Sequence, residues 1–149
     1  MFLIYTFRTF PWIEDLQKVA FSLGCKDVFV FGKLKDDLKR FFELIEEEKP
    51  QWIIGVARGR TGWDKQAFNK FNQYQIIKSG VEYYDLYVPD SQLPLRQFPE
   101  ATFCNWTAYR INDFLNTKNQ DIKLSFVHLR KADLPRLGLL RDQLADFFL

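Results

Sequence analysis

The sequence predicts an α/β fold: three layers, α/β/α, around a central, mostly parallel mixed sheet. Three observations predict it. The first sixty residues alternate short β-rich apolar runs with stretches whose apolar residues recur at helical spacing. One run, Trp52-Ile53-Ile54-Gly55-Val56-Ala57, has no polar side chain, as a strand buried on both faces requires. Apolar residues make up 47% of the chain and sixteen are Phe, so core-forming side chains are abundant and disorder is excluded.

Taken in order, residues 2–6 read as a first strand that leaves into the loop Phe7-Arg8-Thr9-Phe10-Pro11-Trp12. Residues 14–23 carry Leu16, Val19, Ala20 and Leu23 on one helical face, and Gly24 ends that helix. Val28-Phe29-Val30-Phe31, closed by Gly32, is a second strand. Residues 35–49 place Leu38, Phe41, Phe42 and Ile45 inward, acids and lysines outward, with Pro50 as the stop. Residues 52–57 are the third strand. Strand–helix–strand–helix–strand alternation calls for parallel pairing, and puts the working loops at the carboxyl ends of the strands.

Further on, residues 63–71 read as a short helix. Residues 73–78 and 83–88 read as strands turning at Ser79-Gly80. Pro89, Pro94 and Pro99 make residues 89–100 an extended loop. Residues 103–115 are helical, 124–129 a strand, and 137–149 a closing helix. No repeat or linker interrupts them, so residues 1–149 are expected to form one domain.

Composition removes several function classes. The formal charge is +2, from 21 basic and 19 acidic side chains, which gives no electrostatic case for nucleic acid or an anionic membrane. The apolar runs are too short to span a bilayer. Residues 1–5 lack the basic flank and cleavage site of a signal peptide. Two cysteines, Cys25 and Cys104, make no disulfide framework, so a reducing cytoplasm is expected. With one histidine, a Cys/His zinc site lacks ligands.

The chemistry concentrates in Ala101-Thr102-Phe103-Cys104-Asn105-Trp106. Cys104 sits at a predicted helix start, with Thr102 as a candidate cap. Unpaired N–H groups and the helix dipole there favour a thiolate, and can bind an oxyanion. A nucleophilic cysteine needs a base, and the one imidazole, His128, lies 24 residues downstream on the next strand. The plain alternatives are a small buried hydrophobe for Cys104 and a structural histidine for His128. Cys25, after Gly24 at a helix exit, reads as structural.

Four segments carry a family resemblance. Phe103-Cys104-Asn105-Trp106-Thr107-Ala108-Tyr109 resembles the segment around the active-site cysteine of the pyroglutamyl peptidase I (pyrrolidone-carboxylate peptidase) family. Phe126-Val127-His128-Leu129 resembles its Phe-Ile-His-Val segment. Gly55-Val56-Ala57-Arg58-Gly59-Arg60-Thr61 is similar to its Gly-Leu-Ala-Gly-Gly-Arg-Thr loop, and Phe7-Arg8-Thr9-Phe10 to its Phe-Glu-Pro-Phe loop. The islands occur in the family's order, in a shorter chain.

The resemblance implies a cysteine peptidase that removes N-terminal pyroglutamate from a blocked peptide or small acyl amide, with no metal or organic cofactor. Cys104 would attack the carbonyl, and His128 would take and return the proton. Arg60 would support the oxyanion, and Phe7 and Phe10 would sandwich the lactam ring. The family's glutamate, which orients the histidine, falls here on Gln66, with Asp64 as the second candidate. An amide can orient an imidazole but not stabilise its charge as a carboxylate does. That change motivates the alternative expectation, a non-catalytic binding module on the same fold.

Overall fold

The computed structural model describes residues 1–58, 74–78, 85–89 and 103–138. The elements are β1 (Phe2–Phe7), α1 (Ile13–Ser22), β2 (Phe29–Phe31), α2 (Leu34–Glu48), β3 (Trp52–Arg58), β4 (Tyr74–Lys78) and β5 (Asp85–Pro89). They continue with α3 (Phe103–Thr117), β6 (Lys123–Leu129), a 3-10 turn (Lys131–Asp133) and α4 (Leu134–Gly138). Among the described residues no helix is long and apolar enough to cross a membrane.

The six strands form one sheet in the order β2-β1-β3-β6-β5-β4. The first four are parallel to one another. β5 runs antiparallel to β6, and β4 antiparallel to β5. This is the mostly parallel mixed sheet that the sequence predicts.

Side chains alternate across the strands and make two cores. Leu3, Tyr5 and Phe7 of β1 and Ile53 and Ala57 of β3 face α2 and α3. Phe2 and Ile4 of β1 and Trp52, Ile54 and Val56 of β3 face α1 and α4. All six residues of β1 and the first six of β3 are buried, which is why both runs are so apolar. Each large side chain so buried contributes roughly 1.5–3 kcal/mol. α2 and α3 meet through Phe42 and Phe114, whose rings stack at 4.1 Å and 5°.

Two local features depart from the sequence reading. Asp37, placed with the outward acids of α2, is buried instead. It accepts hydrogen bonds from the backbone N–H of Gly32 (2.7 Å) and of Lys33 (3.0 Å), and pairs with Arg40. The Gly32 N–H leads in holding its carboxyl below the usual range, and Arg40 adds to this. The carboxylate satisfies N–H groups that a helix start leaves unpaired, which is worth a buried position. The last helix begins at Leu134, not Leu137. Asp133 accepts from the Arg130 N–H at 2.9 Å and starts the turn, and Pro135 fits the first helical turn, where no N–H is needed. The expected helix at residues 63–71, the loop at 90–100 and residues 139–149 lie outside the described residues.

Cys25 sits at the far end of the sheet, where its Sγ donates to the Phe2 carbonyl at 3.2 Å. Burial pushes its thiol up to about 11 from an ordinary 9.0. A raised folded-state pKa means stability that is full below about pH 9 and lost as pH rises through about 11. Thermal melts across that window are expected to fall with pH, and to fall less steeply for Cys25→Ala. Equal slopes for the two proteins would refute this.

Candidate active site

Cys104 lies in the first turn of α3 and is 5% exposed. Its neighbours along the buried face are Ala108, Ile111 and Leu115, at the spacing that turns one side of a helix to the sheet. α3 ends at a left-handed residue, Asn119 (φ 52), where the Gln120 N–H reaches back to the Leu115 carbonyl at 3.0 Å. The chain then reverses into β6.

That reversal sets the position of the site. From Thr117 back to Cys104 the helix climbs about 20 Å. From Lys123 to His128 the strand climbs about 17 Å. Both residues therefore arrive at the same end of the sheet, the carboxyl end of the parallel strands. In the β3–β6 ladder His128 pairs with Ala57. Ala57, Leu124 and Phe126 belong to the core that contains Cys104, and position 128 continues the alternate series of Leu124 and Phe126. The backbone brings the two positions to one end and one face.

Phe7 and Phe10 are both buried, at 3% and 4% exposure. The structure does not bring their rings together. Phe7, at the end of β1, packs with Tyr5 (6.0 Å), Phe31 (5.9 Å) and Phe126 (6.4 Å) in the Cys104 layer. Phe10 follows a turn closed by its N–H on the Phe7 carbonyl (2.8 Å), and packs edge-on to Trp12 (5.5 Å) in the opposite layer. The turn between them crosses the sheet rim, so the two aromatic rings serve different cores. Arg60, Gln66 and Asp64 lie outside the described residues. β3 ends at exposed Arg58, whose guanidinium lies 5.9 Å from the centre of the Trp12 ring.

The core that includes Cys104 contains a residue the sequence reading passed over. Tyr5 is fully buried beside the Cys104 core, with its ring edge-on to Phe31 and Phe41. A Cβ on Gly55 would fall 2.4 Å from Tyr5 Cζ and 2.5 Å from its hydroxyl oxygen, so the ring lies directly over this glycine. Burial holds the phenol well above its usual range, and negative charge on Cys104 pushes the same way. The available signal was a glycine inside an otherwise side-chain-filled apolar strand, which marks a close approach.

These elements define an α/β sandwich with a buried cysteine at a helix start, on the carboxyl-end rim of its parallel strands. Among solved structures, the chain is similar to a mutant pyrrolidone carboxyl peptidase from the hyperthermophile Pyrococcus furiosus. The match covers 99% of each chain, with 14% sequence identity and a TM-score of 0.56. At that identity the likeness establishes a shared fold. No family model matches the chain, and no curated protein does.

Proposed function

We propose that the protein is a cysteine-type amide hydrolase of the pyroglutamyl-peptidase kind, with Cys104 as nucleophile and His128 as base. The observation that carries this reading is the convergence of positions 104 and 128 on one end and one face of the sheet. Cys104 loses its proton to the imidazole, and its sulfur adds to the acyl carbonyl. The oxyanion so formed meets N–H groups at the start of α3, which have no partner within the helix, with Arg60 as a further donor. Collapse expels the amine, which takes the proton from His128, and water then hydrolyses the thioester. Gln66, or Asp64, is the candidate for orienting the imidazole. The fold shared with a pyrrolidone carboxyl peptidase supports pyroglutamyl amides as the first substrates to test. The separate packing of Phe7 and Phe10 supports a lactam subsite of different construction from a two-ring sandwich.

The second reading, a non-catalytic binding module, is favoured by the neutral residue at position 66. One assay separates them. The purified chain is offered a pyroglutamyl amide of a chromogenic amine, before and after alkylation. Release of the amine, lost on alkylation of Cys104, is the expected result. Saturable binding without release, with Cys104 alkylating no faster than an ordinary thiol, would leave the binding module standing instead.

A further inference from the structure

At the amino end of the parallel strands, opposite the rim that carries Cys104, β1 runs ahead of its neighbour. β2 pairs with β1 from Tyr5 opposite Phe29 to Phe7 opposite Phe31, so Phe2, Leu3 and Ile4 have no partner in β2. The chain is turned away from them at Gly24 (φ 85), where the Cys25 N–H returns to the Ala20 carbonyl at 2.9 Å. The Cys25 thiol stands in for a strand donor and bonds the Phe2 carbonyl at 3.2 Å. Between this loop, the first residues of β1 and the second half of α2 lies a cavity of about 230 Å³.

The walls of this cavity are Phe2, Leu3, Cys25, Val28, Phe29 and Leu44. Protein interiors are packed to crystal density, and voids larger than a water molecule are few. An apolar cavity of roughly 150 Å³ already holds benzene. The larger one here has room for a fused pair of rings. Its one buried polar hydrogen, on Cys25, is already given to the Phe2 carbonyl, so an apolar guest leaves no wall donor unmatched. Two rings, Phe2 and Phe29, and two sulfurs, of Cys25 and Met1, border the space. Ring faces and polarisable sulfur favour an aromatic guest, and the exposed, unbranched Met1 can fit itself around one.

The charges on the solvent side are engaged with one another. Lys26 pairs with Glu48 at 3.6 Å, and the Met1 amino group donates to Gln51 Oε1 at 2.7 Å. A charged guest would have to break these contacts or carry its own charge unpartnered between apolar walls. We propose that the cavity is a binding site for an uncharged aromatic molecule of one or two fused rings, about the size of indole. The inference does not depend on the reading of Cys104, because the cavity lies at the end of the sheet away from the rim where positions 104 and 128 converge.

The test uses the full chain and indole as the probe. Methyl resonances of Leu3, Val28 and Leu44 are followed by NMR as indole is added, with those of Leu124 and Leu129 as references. The expected result is saturable shifts confined to the first three, with a dissociation constant of about 0.1–1 mM. Alkylation of Cys25, a wall of the cavity, is read separately from that of Cys104 by mass spectrometry. It should slow about tenfold at ten times the dissociation constant, with Cys104 unchanged. Indole-3-carboxylate, which adds a charge to the same rings, should give neither effect. Leu44→Trp fills the cavity from α2 and should abolish both, with circular dichroism reporting the fold. Should that variant not fold, Leu44→Phe adds less bulk and should weaken binding. Absence of saturable shifts, shifts spread over both ends of the sheet, equal binding of the carboxylate, or an affinity unmoved by filling at position 44 would each overturn the proposal.

Discussion

Replacing Cys104 with alanine is expected to lower amide hydrolysis by about ten-thousand-fold or more, or ~5 kcal/mol of transition-state stabilisation. Without the sulfur no thioester forms, and what remains is the contribution of the helix-start N–H groups to uncatalysed water attack. The same substitution should leave the fold in place. Cys104 belongs, as a small residue, to the core that includes Ala108, Ala57 and Phe126, and loss of its sulfur costs about 1 kcal/mol. Paired measurements of kcat/KM and thermal unfolding check this. A variant that keeps wild-type turnover would end the nucleophile assignment. One that loses turnover only because it unfolds would show up in the melt.

Gly55→Ala is expected to destabilise the protein by about 3 kcal/mol or more, a large fraction of a small domain's stability. The new methyl would sit 2.4 Å from both Tyr5 Cζ and Phe126 Cδ2. Both rings are buried and flanked by other rings, so neither can swing aside cheaply. Gly55 lies in the middle of β3, paired with Tyr5 on one side and Phe126 on the other, so the backbone cannot yield without disturbing both ladders. Denaturant unfolding reads the loss directly. A change under about 1 kcal/mol would mean the rings have room that their packing does not suggest.

Much of this architecture was legible because burial on two faces leaves a plain mark. Residues 52–57 could only be a central strand once polar side chains were absent from them, and helical spacing fixed the inward faces of α1, α2 and α3. The arrival of Cys104 and His128 at one rim followed from the same reasoning, since a helix and the strand after it must run in opposite directions. Less legible were residues whose role depends on a distant neighbour. Asp37 looked like one more surface acid of α2, because nothing local announces that Gly32 and Lys33 turn their N–H groups toward it. Phe7 and Phe10 were paired only by what the family resemblance implies. A turn over the sheet rim sends them to different layers, which periodicity alone does not reveal. Tyr5 read as an ordinary member of an apolar strand, and only the glycine beneath it distinguishes it.

The α3–β6 unit has a consequence for how such a site changes over time. Sulfur and imidazole are carried on one helix–turn–strand piece, registered as a block by the ladder from Trp52 opposite Lys123 to Arg58 opposite Leu129. The residues assigned to the third position, Gln66 or Asp64, follow β3 and belong to another limb of the chain. Substitution or shortening on that limb need not move the first two groups by a fraction of an ångström. A chain built this way is modular: the proposed couple and its proposed orienting partner can drift independently. An amide in the sequence where the resemblance implies a carboxylate is the kind of mosaic that such modularity permits.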